Sequence, residues 1–82
     1  MAKILYFSTL VDKVGSSSEE VNLPESVTDV RSLLAWLRAR GGNWESALKE
    51  DAVQVTINRQ FAMVDTAVND KMEIAIVSAR LK

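Results

Sequence analysis

The stretch from residue 28 to residue 40, TDVRSLLAWLRAR, constrains this chain more than any other. Val30, Leu33, Leu34 and Leu37 recur at i, i+3, i+4 and i+7, an apolar stripe with the period of an α-helix. Thr28 stands where its side chain can accept from the amides of the first turn, and Asp29 suits the positive end of the helix dipole. Val27 is placed to begin a hydrophobic staple. Arg38 and Arg40 suit the negative end, and Gly41-Gly42 stops the helix. A helix with one apolar stripe has to bury it, so the rest of the chain must supply the surface.

That surface is legible as short β-rich runs. Lys3-Ile4-Leu5-Tyr6-Phe7 is a continuous apolar run and reads as a strand covered on both faces, central in its sheet. Leu10, Val11 and Val14 then fall at helical spacing before Gly15, which predicts one or two helical turns. Ser16-Ser17-Ser18 is a loop, and Glu19-Glu20-Val21-Asn22-Leu23 alternates as a strand with one wet face, able to pair with the first. Asn43 to Leu48 predicts a second, short helix capped by Asn43, with Trp44 and Leu48 inward. Residues 52–57 alternate with period two, Asn58-Arg59-Gln60 is a turn, and residues 61–64 form a short return strand. The last apolar run, Met72-Glu73-Ile74-Ala75-Ile76-Val77, is again strand-like.

The richest apolar runs lie at the two ends, so the first and last strands are expected side by side at the sheet centre, crossed by the helix. This is an α+β, β-grasp (ubiquitin-like) arrangement: a mixed sheet of about five strands packed on one long helix, with short helices besides. A ferredoxin-like sandwich would need a second helix as long as the first, and the segment from Trp44 to Leu48 is too short for it. With 82 residues the chain is expected to be one domain over residues 1–82, with 78–82 as a flexible tail.

Composition removes whole classes of chemistry. Ten Lys and Arg balance eleven Asp and Glu, without the basic stripe that phosphate neutralisation requires, so no nucleic-acid partner is expected. No run approaches the ~20 apolar residues of a membrane span, and no signal-peptide core is present, so a cytoplasmic, membrane-free protein is expected. With no His and no Cys, hydrolytic triads, thiolate chemistry and the usual zinc ligands are absent. Glu19-Glu20 and Glu50-Asp51 read as solvated pairs, and neither a metal nor a bound cofactor is expected. No catalytic residue is assigned.

Several stretches carry a resemblance: Leu5-Tyr6-Phe7-Ser8 through Val14-Gly15, Val27 to Leu37, Trp44 with Ala47-Leu48, Val55-Thr56-Ile57-Asn58, and Asp70 through Glu73-Ile74-Ala75. Together they resemble the small subunit of molybdopterin synthase, a ubiquitin-like sulfur carrier, over almost the whole chain. The resemblance implies molybdenum cofactor biosynthesis, docking to a large synthase subunit, and an adenylating activating enzyme. It also implies that sulfur is carried as a thiocarboxylate on the C-terminal glycine of a Gly-Gly tail. By position, Phe7, Phe61 and Val77 correspond to residues that pack such a carrier on its large subunit, although core or plain sheet-face roles fit them as well.

The sequence departs from that family at the tail, where Ser78-Ala79-Arg80-Leu81-Lys82 holds neither proline nor glycine. A tail threaded through a narrow channel favours glycine for its minimal width and free backbone, so the chain as written is expected to accept no sulfur. Arg80 and Lys82 would suit an acidic cleft on a partner, with Leu81 between them; a tail that contacts nothing is the plainer reading. The rival reading is a β-grasp interaction module without a carrier role. A free-standing enzyme is disfavoured by the missing His, Cys and glycine-rich phosphate loop.

Overall fold

The computed structural model describes residues 1–7, 9–50 and 52–78. In chain order they form β1 (Ala2–Phe7), α1 (Thr9–Val14), β2 (Ser18–Val21), α2 (Val30–Arg38), α3 (Asn43–Ala47), β3 (Val53–Ile57), β4 (Gln60–Ala62) and β5 (Glu73–Ser78). The strands make one five-stranded sheet in the order β2-β1-β5-β3-β4. The first and last strands lie parallel at its centre and the other pairings are antiparallel, so the β-grasp expectation holds.

The helices cover one face only. Ile4 and Tyr6 of β1, Val53, Val55 and Ile57 of β3, and Ile74 and Ile76 of β5 join Leu10 and the α2 stripe Val30, Leu33, Leu34 and Leu37 in one buried cluster. Each large aliphatic side chain so buried stabilises the fold by about 1.5–3 kcal/mol before ordering costs. The expectation that β1 is covered on both faces is therefore corrected: Ala2, Ile4 and Tyr6 are buried, while Lys3 and Phe7 are exposed. A continuous apolar run conceals this alternation, because Leu5 and Phe7 are as hydrophobic as their buried neighbours.

The main helix is also shorter than its sequence pattern, nine residues from Val30 to Arg38. Its cap is Asp29 and not Thr28: the Ser32 amide donates to Asp29 Oδ1 at 2.8 Å, and the Asp29 amide donates to Ser32 Oγ at 3.0 Å. This reciprocal box satisfies two of the donors that a helix start leaves unpaired. Thr28 is drawn away from the cap because its carbonyl accepts from Val68, and Asp29 bridges to Ala67. At the other end Gly41 and Gly42 take positive φ, +81° and +57°, a conformation that only glycine adopts without strain, and the helix stops there. Gly42, not Asn43, precedes the first residue of α3. Ser78, expected in the tail, is the last residue of β5.

Candidate functional site

The uncovered face of the sheet is built row by row from strand register, since residues directly opposite on neighbouring strands share a face. Leu5 of β1, Ala75 of β5, Thr56 of β3 and Phe61 of β4 form one row. Phe7, Val77 and Gln54 form the next. On the other side, Glu20, Lys3 and Glu73 alternate in charge. The face is thus apolar in the middle and charged along one border.

Between these rows lies an open concavity of ≈ 570 Å³ lined by Leu5, Phe7, Thr56, Ala75 and Val77, with Arg59 and Glu73 at its polar rim. The rim is held by the β3–β4 turn. Asn58 and Arg59 both have positive φ, 51° and 72°, the geometry of the tight hairpin turn that matches strand twist. Asn58 then clamps β5, its amide donating to the Glu73 carbonyl at 2.8 Å and its Oδ1 accepting from the Glu73 amide at 3.1 Å.

Of the residues singled out by sequence, Phe7 and Val77 are brought together as register partners on this face. Phe61 lies on the same face but one row away at the sheet edge, about 10 Å across from β5 by strand spacing. Phe7 is 45% exposed and Phe61 82%, so neither belongs to the core. Arg80, Leu81 and Lys82 lie outside the described residues. Sequence reasoning passed over Leu5, Thr56, Ala75 and Arg59; the alternation of Val53, Val55 and Ile57 with Gln54 and Thr56 was a signal for Thr56 alone, and the evenly apolar β1 gave none for Leu5.

The covered face carries a second polar arrangement. Tyr6 Oη donates to Glu19 Oε2 at 2.6 Å, and Arg40 Nη1 and Nη2 donate to Glu19 Oε2 and Oε1 at 2.9 and 3.0 Å. The Arg40 guanidinium lies 4.4 Å from the centroid of Trp44 and 5.6 Å from that of Trp36, and Tyr6 meets Trp44 edge-on. Trp36 and Trp44 therefore seal a core edge, as aromatic residues in small domains commonly do. Glu19 is not a solvated carboxylate: burial works to raise its pKa, but bonds from Arg40 and Tyr6 outweigh it and hold the carboxyl below its ordinary value. Burial, reinforced by the bond to Glu19, pushes the Tyr6 phenol far above the ordinary range. The arrangement ties edge strand β2 to the end of α2.

Among the described residues no three His, Cys, Asp or Glu side chains gather as metal ligands, and no helix is long and apolar enough to cross a membrane. A five-stranded mixed sheet with helices on one face and an open apolar face on the other defines the class of ubiquitin-like, β-grasp proteins. Within that class the chain belongs to the ThiS family of ubiquitin-like sulfur carriers, whose family model matches residues 4–80. No curated protein sequence matches it. Its structure is similar to that of a putative molybdopterin converting factor, subunit 1, from Pyrococcus furiosus, at 23% identity and a TM-score of 0.75, over 94% of each chain. It is similar also to SAMP1 from Haloferax volcanii, at 20% identity and a TM-score of 0.77, over 99% of this chain and 97% of that one. The Haloferax volcanii HVO 2177 protein is a third such structure, at 20% identity and a TM-score of 0.74, over 98% and 83%. At these identities the likeness shows the shared fold.

Proposed function

We propose that this chain is a small subunit of a molybdopterin synthase, of the sulfur-carrier kind, working in the cytoplasm by docking its open sheet face on a large subunit, whether or not it is loaded with sulfur. The observation that carries this reading is the apolar strip of Phe7 and Val77, with Phe61 beside it, on a face that no part of the described chain covers. Membership of the ThiS family and the likeness to a converting-factor subunit support it. In this reading the chain performs no catalysis. An adenylating enzyme activates a carrier carboxylate, sulfur replaces one of its oxygens, and the large subunit supplies the remaining chemistry. Arg80 and Lys82, close behind β5 in sequence, suit acidic surfaces on such partners.

The likeness to SAMP1 favours a second reading, a β-grasp interaction module or modifier with no part in molybdenum cofactor synthesis. Affinity capture of the tagged chain from its own host separates the two. A larger synthase-like partner, lost when Phe7 becomes Asp, supports the first; recovery without such a partner supports the second. Intact mass after incubation with the activating enzyme, ATP and a sulfur donor then distinguishes a loaded carrier, one oxygen exchanged for sulfur, from a chain that docks without carrying.

A further inference from the structure

The turn between β3 and β4 holds a strain that nothing within the chain repays. Asn58 and Arg59 are its two central residues, with φ at 51° and 72°, and in a tight hairpin turn of this kind glycine is the residue that fills the second position at least conformational cost. Asn58 has a reason to be there. Asparagine tolerates positive φ better than most side chains, and its Oδ1 accepts from the Glu73 amide at 3.1 Å. Arg59 has no such reason. It is exposed, and among the described residues its guanidinium joins no ion pair, not even with Glu73 at the same rim. A strained residue whose side chain gains nothing inside its own chain points to a contact outside it.

Its position indicates what that contact is. The open-face concavity of ≈ 570 Å³ has Leu5, Phe7, Ala75 and Val77 in its lining, and among the described residues Arg59 is the only cation that reaches it. Asn58 clamps the turn to β5 through both its amide and its side chain, and so fixes the root of the Arg59 side chain at the rim. A guanidinium presents a planar fork of N–H donors that matches the two oxygens of a carboxylate. Beside an apolar wall, such a pair sheds water and strengthens.

We propose that Arg59 sets the specificity of the docking face by pairing, through its fork, with a carboxylate of the partner: an Asp or Glu side chain next to the apolar side chains that fill the concavity. Glu73 repels an acid placed on the β5 side, so the carboxylate is admitted only on the side of the turn. A lysine at position 59 would supply the charge but not the paired donors. The inference rests on the sheet-face reading proposed above and adds to it the chemistry of the partner's contact point.

Isothermal titration of the purified large synthase subunit from the same host tests it, with thermal unfolding of each variant alongside. Arg59→Gly is expected to raise Tm and yet to weaken docking about tenfold or more, opposite signs that a misfolded variant cannot produce. Arg59→Lys keeps the charge and the strained backbone and recovers only part of the affinity. Added salt weakens docking of the parent more than that of Arg59→Gly. Docking that Phe7→Ala weakens and Arg59→Gly leaves unchanged overturns the role of Arg59 while the sheet-face reading stands. An Arg59→Lys variant as tight as the parent overturns the forked pairing. Docking that neither Phe7→Ala nor Arg59→Gly weakens, or a parent chain that does not dock, overturns both.

Discussion

Arg40 holds both carboxylate oxygens of Glu19, at 2.9 and 3.0 Å, across 21 positions of sequence. The bond joins β2 to the residues just after α2, and the guanidinium lies over the Trp44 ring, 4.4 Å from its centroid. Replacing Arg40 by Ala removes the bidentate pair and the ring contact and leaves Glu19 half-buried with Tyr6 alone. The expected loss is about 1–3 kcal/mol in urea unfolding. Arg40→Lys should recover only part, because an ammonium can neither fork across a carboxylate nor stack on an indole. Equal stabilities of the Ala variant and the parent would show the cluster to be decorative.

The same residues set the pH range of the fold. Glu19 stays ionised to lower pH in the folded chain than in the unfolded one, so in acid the unfolded state takes up its proton first. Stability from this group is present above the ordinary carboxylate value of ~4.3 and falls as pH drops below it. Tyr6 works in the opposite direction. Its raised pKa contributes stability that is complete below the ordinary phenol value of ~10 and is lost as pH climbs past it. Because Tyr6 is the only tyrosine in the chain and tryptophan does not ionise, the rise in near-ultraviolet absorbance that accompanies tyrosinate formation reports Tyr6 alone. Tyrosinate should form only as the protein unfolds. Ionisation near ~10 with the fold intact would contradict its burial.

Backbone strain gives a prediction of each sign. Arg59 holds φ at 72° with a side chain that disfavours it, so Arg59→Gly should stabilise by about 1 kcal/mol, read as a rise in Tm. Gly41 holds +81° with nothing within 4 Å of an added Cβ. Gly41→Ala should therefore cost about 1 kcal/mol through conformation alone and not through a clash.

Docking on the open face is expected to separate from stability. Phe7→Ala should weaken capture of the large partner by about tenfold or more while moving the unfolding midpoint little, since the ring is already 45% exposed. Leu34→Ala, in the buried stripe, should do the reverse and destabilise by about 2–5 kcal/mol. Isothermal titration with the partner, run beside urea unfolding, measures both.

Much of this protein is written locally. The stripe Val30, Leu33, Leu34 and Leu37 declares a helix because period and burial coincide within three turns of chain. Gly15 and Gly41-Gly42 end their helices through a backbone property each carries by itself. The β-rich runs, and the pairing of the first with the last, follow from how apolar those runs are. The same logic misplaced the cap, where Thr28 and Asp29 are equally able chemically. The bridge from Asp29 to Ala67, far along the chain, decided between them.

The sequence by itself determined which segments are helix or strand and that the chain makes one β-grasp sheet, because hydrophobic periodicity and turn chemistry act over a few neighbouring residues. Only the tertiary structure decided which sheet face stays open and that Phe7, Val77 and Phe61 share it. It alone brought Glu19 to Arg40 and Tyr6. Those outcomes depend on which surface a single layer of helices covers, a long-range choice that an evenly apolar strand such as Ile4-Leu5-Tyr6-Phe7 does not encode.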